Sequence, residues 1–131
     1  MRYLLDTNAV VAMLRDPASR PALRARQERV SDVAISTIVA HELFYGAFKS
    51  RRAAHNVGIV DALQFGVIEF DREDARQAGA IRAFLAARRT TIGPYDVLIA
   101  GQAAARNMIL VTHNTAEFRR APGLRMEDWE A

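Results

Sequence analysis

The sequence predicts an α/β fold: an α/β/α sandwich with a central, mainly parallel sheet of four to five strands. Three observations predict it. Short apolar runs recur along the chain and alternate with segments of helical periodicity. Most of those helical segments open on Ser, Thr, Asp or Pro, residues that suit a first turn. Strands alternating with helices argue for parallel pairing through crossovers that cover both sheet faces. The length, 131 residues, suggests one domain spanning 1–131.

Tyr3-Leu4-Leu5 reads as a first buried strand, with Thr7 or Asn8 capping a helix over Ala9–Leu14. Asp16-Pro17 breaks that helix, and Pro21 sits near the first turn of the next, about Pro21–Arg29. Val33-Ala34-Ile35 is a second strand, followed by a Ser36- or Thr37-capped helix, about Ile38–Lys49. Ser50 to Gln64 reads as another helix, weakened by Gly58. Val67–Phe70 is a third strand, and Asp71 caps a long helix over Arg72–Ala87. Gly93-Pro94 opens a helix to Arg106, and Met108–Val111 is a strongly apolar fourth strand. Thr112–Phe118 holds a turn and a short helix, and Leu124–Glu127 is a last edge strand.

Composition narrows the function. No apolar run approaches the length of a membrane-spanning helix, so no membrane association is expected. The N-terminus meets Asp6 too early for a signal peptide. The chain has no cysteine, which excludes disulfides and thiolate metal sites. A cytoplasmic protein is the expectation. The net charge is +3, and Lys49 is the only lysine among many arginines. Arginine suits phosphate because its planar fork binds two oxygens at once. Arginine richness also follows from a GC-rich genome, so basicity alone is weak support for a nucleic-acid partner.

Three carboxylates interrupt the apolar pattern. Asp6 ends the first strand. Glu42 falls on the stripe Ile35, Ile38, Val39, Leu43, Gly46, and Asp96 on the stripe Ile99, Ala100, Ala103, Ala104. Those offsets trace one helix face. A charge there is costly unless it is paired or holds a metal. Asp6 has an alternative role as an N-cap, Asp96 as an acid favoured by the helix dipole, and Glu42 as half of a salt bridge. With no basic residue on the same stripes, a divalent cation site is the leading reading, and a metal-dependent nuclease the leading function. In a parallel sheet, sites form outside the carboxyl ends of the strands. Asp6 and Asn114 both fall on that edge. Asn114 and Glu117 are candidates for further oxygen ligands. Asn8, Ser36 and Thr112 are candidates for supporting polar contacts, Ser36 and Thr112 equally for caps. His41, His55 and His113 show no zinc-site spacing and read as structural or surface residues.

Five segments, in order, carry a family resemblance. They are Tyr3–Asn8; Ile35–Thr37 with His41–Gly46; Ile92–Ala100; Leu110–Asn114 with Glu117-Phe118; and Pro122–Trp129. In these the chain resembles PIN-domain ribonucleases of the VapC toxin family, over nearly its whole length. The resemblance implies a PIN-like fold, with Asp6, Glu42 and Asp96 as catalytic metal ligands. It implies Mg²⁺, with Mn²⁺ able to substitute, and endonucleolytic cleavage of structured RNA such as tRNA or ribosomal RNA. It also implies a VapB-like antitoxin partner whose tail crosses the active site, a homodimer, and operator DNA contacted only through the antitoxin. Two positions depart from the common family pattern. Tyr95 stands where many relatives carry Asn. Asn114 stands where many carry Asp, and a neutral Asn would bind a second cation more weakly, so the number of bound cations is open.

Two other functions compete. Asp-Thr-Asn after a first strand can mark an aspartyl nucleophile of a phosphotransfer enzyme. Such enzymes carry a second Asp where this chain has Asn8, and a late Lys, whereas none follows Lys49. A catalytically inactive PIN-fold module binding RNA or a protein partner is the other alternative. Retention of all three acids argues against it.

Overall fold

The computed structural model describes all residues, Met1–Ala131. Tyr3–Leu5 forms β1, fully buried, and is flanked on both sides by parallel neighbours. Those neighbours are β2 (Val33–Ser36) and β4 (Ile109–Val111). β3 (Gly66–Ile68) and β5 (Met126–Glu127) complete an all-parallel sheet of order β3-β2-β1-β4-β5. The central strands are buried throughout, as an apolar run covered on both faces requires.

Seven helices flank the sheet. They are α1 (Thr7–Arg15), α2 (Arg20–Arg26), α3 (Thr37–Phe48), α4 (Ala53–Asp61), α5 (Arg72–Ala87), α6 (Pro94–Ala105) and α7 (Thr115–Phe118). The chain steps outward from β1 to β2 to β3, then returns across the sheet to β4 through α5 and α6. Right-handed crossovers put the helices of the outward steps on one face and those of the return on the other. The direction reverses between β1 and β4, so the crevice of the fold opens at their carboxyl ends.

The sheet, its direction and the edge position of β5 agree with the sequence expectation. Several boundaries differ for identifiable reasons. Asp6 itself caps α1 by accepting the Thr7 N–H, so Thr7 is already helical. Ser19 caps α2, which ends at Arg26, and Val30–Asp32 forms a single 3₁₀ turn instead of continuing it. The helix expected over 50–64 shortens to α4 because Ser50 bonds back to the Ala47 carbonyl at the end of α3. β3 stops at Ile68 because partners from other elements take up the next backbone groups. The Glu69 carbonyl accepts from Gln102 and Arg106, and the Phe70 N–H donates to Thr37 Oγ1.

α5 and α6 pack tightly, and Gly101 makes the approach possible. A Cβ there would lie 2.5 Å from the Cα and Cβ of Ala78. The obstacle includes backbone, which cannot swing aside. Gly101→Ala is therefore expected to destabilise the fold by roughly 1–3 kcal/mol, the usual cost of overpacking. Urea unfolding would show it as a lower midpoint, and an unchanged midpoint would mean the two helices separate freely.

Candidate active site

Because β1 and β4 are adjacent and parallel, the residues that follow them emerge side by side. The Asp6 N–H donates to the Val111 carbonyl at 2.9 Å, extending the pairing one residue past β1. The next residue of β4's chain, Thr112, donates its hydroxyl to Asp6 Oδ2 at 2.8 Å. Asp6 Oδ1 accepts the Thr7 N–H at 2.8 Å. Asp6 is thus both a helix cap and, at 4% exposure, a buried carboxylate at the crevice. The two readings of this residue do not exclude each other.

Glu42 arrives from the middle of α3 and Asp96 from the first turn of α6. Thr7 Oγ1 donates to Glu42 Oε1 at 3.1 Å. No cation pairs with Glu42, so the salt-bridge alternative for this residue is absent. Asp6, Glu42 and Asp96 line one open cavity of about 510 Å³, together with Asn8, Asn114 and Arg15. Residues 36 and 90 positions apart in sequence converge on Asp6 in this way.

The remaining expected residues divide. Asn114 reaches the cavity, and its side-chain amide donates to Glu117 Oε2. Glu117 Oε1 accepts the Gly93 N–H at 2.8 Å, so Glu117 holds the residue that caps α6. Its carboxyl lies below the ordinary range because of the Gly93 N–H and then the Asn114 amide. Thr112 touches the carboxylates as expected. Ser36 does not: it is fully buried and caps α3 by accepting the Ile38 N–H. Asn8 is exposed at the rim, where its side-chain oxygen faces the His113 N–H at 3.5 Å. His113 also lines the rim, with Nδ1 3.1 Å from Asp128 Oδ2.

The profile of the PIN domain matches residues 3–124. The chain is a PIN domain of the VapC family. It is 38% identical over 132 residues to the tRNA(fMet)-specific endonuclease VapC of Salmonella typhimurium, covering 98% of each protein. A protein of the same name from Shigella flexneri is also 38% identical over 98% of each. DNA-bound VapBC from Salmonella typhimurium superposes with a TM-score of 0.94 at 37% identity, covering 98% of both chains. VapBC2 from Rickettsia felis, bound to a promoter DNA fragment, gives 0.90 at 33% identity, over 98% of this chain and 99% of that one.

Within this PIN domain the crowding of the acids has an electrostatic signature. Burial raises the Asp6 and Glu42 carboxyls above their ordinary values, against the bonds from Thr112 and Thr7. Asp96 is pushed up to about 7, first by burial and then by the charges of Asp6, Glu117 and Glu42. Like charges have been gathered without a basic residue to neutralise them. The donor set is all oxygen and anionic, which fits Mg²⁺ or Mn²⁺ and not a thiolate-seeking metal. Two contributors escaped the sequence reading. The sequence presents Thr7 only as a cap candidate, although its hydroxyl donates to Glu42. Arg15 ends α1 at the cavity rim and forms no ion pair, and nothing in its local pattern distinguishes it from a solvated arginine.

A folded-state pKa above the unfolded value means that folding takes up a proton at Asp96. Its contribution is therefore most favourable below the unfolded pKa and is lost as pH rises through about 7. Asp96→Asn is expected to stabilise the metal-free fold at about pH 8 by on the order of 1–2 kcal/mol, discounted for its half-exposed position, with little gain near pH 4. Urea unfolding in chelator at both pH values checks this; a variant weaker than wild type at pH 8 would contradict it. Mn²⁺ binding that used Asp96 would likewise weaken as pH drops through about 7, because the cation would have to displace that proton. Calorimetric titration at two pH values reads the difference.

Proposed function

We propose that this chain is a metal-dependent endoribonuclease, the toxin of a VapBC-type toxin–antitoxin pair, cleaving structured RNA such as tRNA or ribosomal RNA. The observation that carries the reading is the convergence of Asp6, Glu42 and Asp96 on one cavity in which no basic side chain forms an ion pair with them. The names borne by the relatives support it. Asp6, Glu42 and Asp96 would hold Mg²⁺ or Mn²⁺, with the Asn114 side-chain oxygen as a further donor. When bound, such an ion supplies Lewis acidity toward the phosphodiester and lowers the pKa of water.

The chain's own groups perform the rest. Thr112 fixes Asp6 and Thr7 fixes Glu42, each through a neutral hydroxyl that orients a carboxylate without consuming its charge. Glu117, engaged by Gly93 and Asn114, anchors the first turn that presents Asp96. Arg15 at the rim meets a phosphate with its free guanidinium. An aspartyl nucleophile of the phosphotransfer kind lacks its usual companions here, since Asn8 stands in place of a second Asp and no lysine follows Lys49. The proposed partners are a VapB-like antitoxin, a second copy of the chain in a homodimer, and operator DNA only through the antitoxin.

Purified, partner-free protein should cut total cellular RNA into discrete fragments with Mg²⁺. Chelator or Asp6→Asn should abolish them. Fragments that persist in chelator would exclude the metal, and a folded protein that cuts nothing would favour the non-catalytic module. Thr112→Val is expected to lower the cleavage rate roughly 10- to 100-fold, the usual range for losing the group that orients a ligand. Full activity in that variant would remove the Thr112–Asp6 bond from the mechanism.

A further inference from the structure

Two aromatic residues immediately precede two of the three acids. His41 precedes Glu42 on α3, and Tyr95 precedes Asp96 on α6. Adjacent helical residues point about 100° apart, so neither ring enters the carboxylate cavity. Both are displaced from it to the same side, and they meet there. Their ring centroids are 5.5 Å apart with an interplanar angle of 52°. The pair is not core packing: His41 is exposed and Tyr95 is 47% exposed. The phenol and imidazole polar atoms make no hydrogen bonds within the protein.

We propose that His41 and Tyr95 form a stacking platform for a nucleobase flanking the phosphate that is cut. The proposal rests on the ribonuclease reading of the cavity. A phosphate at the carboxylate cluster leaves its nearest bases about one ribose away, beside the cavity. An open aromatic face there offers stacking to any base. The unsatisfied hydroxyl and ring nitrogens offer edge contacts that a purely aliphatic protein side chain would leave unmatched. Tyr95 supplies a π-face that an aliphatic or amide side chain lacks.

The test uses the full-length protein and a ten-nucleotide oligoadenylate carrying a central 2-aminopurine, with Ca²⁺ as the cation. A matching strand with an abasic centre serves as control. Wild type and Tyr95→Phe should quench the 2-aminopurine emission on binding and prefer the base-bearing strand. Tyr95→Ala should lose the quenching and the preference, with affinity down roughly tenfold, within the range seen for removing one stacking aromatic. Its affinity for the abasic strand should stay at the wild-type level. Equal quenching by Tyr95→Ala and wild type would overturn the platform while leaving the nuclease reading intact. So would a Tyr95→Ala protein that changes its oligomeric state by sedimentation, which would assign the ring to a protein interface. A wild type that neither binds the oligonucleotide nor cuts total RNA would remove both readings together.

Discussion

Repulsion among carboxylates at one sheet edge is the constraint around which this fold is arranged. Asp6, Glu42 and Asp96 come from three separate elements, and no basic side chain is ion-paired to any of them. Water would hold these charges apart. The structure holds them together because the surrounding elements cannot relax independently. β1 and β4 are locked side by side in the middle of a buried sheet, with Leu4 and Leu110 fully buried partners across the ladder. α3 and α6 are tied to that sheet by their apolar faces: Val39 and Leu43 on one, Ile99, Ala100 and Ala103 on the other. The apolar burial around the site exceeds the electrostatic cost at it, and the cost is local.

The groups that steady the acids share a property. Thr112 and Thr7 are neutral donors, and the Gly93 N–H that meets Glu117 is a backbone dipole. A lysine or arginine in their place would stabilise the acids more, but would neutralise their charge. Gly93 shows how little room the arrangement leaves. A Cβ on Gly93 would lie 3.0 Å from Asp96 Oδ2 and 3.7 Å from Glu117 Oε1. The residue that caps α6 is thus bare where two carboxylates converge. The same chain position links α6, which carries Asp96, to α7 through Glu117.

What was legible in the sequence follows from what local pattern encodes. Asp6, Glu42 and Asp96 stood out because a charge on an apolar stripe contradicts its surroundings, and periodicity exposes that contradiction without any tertiary information. Four to five strands in a mainly parallel sheet were legible for the same reason, through alternation of apolar runs with capped helices. The end of β3 was not, since it depends on Gln102 from α6, on Arg106 just after it and on Thr37 from α3, all more than 30 residues away. Thr7 and Arg15 were not, because a hydroxyl near a helix start and an arginine near a helix end are ordinary there. Ser36 shows the converse. It was open between a site contact and a helix cap, and the demand of the α3 N-terminus for an acceptor takes its hydroxyl.

Asp74 sharpens the distinction between a structural and a functional acid. It is 1% exposed, more buried than Asp6. Yet Arg106 lies 3.0 Å from one oxygen, the Gln102 amide donates to the same oxygen, and the carboxylate completes a capping box with Asp71. Every charge in that cluster has a partner, and the cluster fastens α5 to α6. A cation would find no unpaired anion there. At the carboxyl edge of β1 and β4 the situation is reversed: the acids are less buried on average but face one another. Burial by itself therefore does not mark the reactive end of this molecule. The mark is burial without compensation, which stays unfavourable in the protein alone and is relieved only when something positive is supplied from outside.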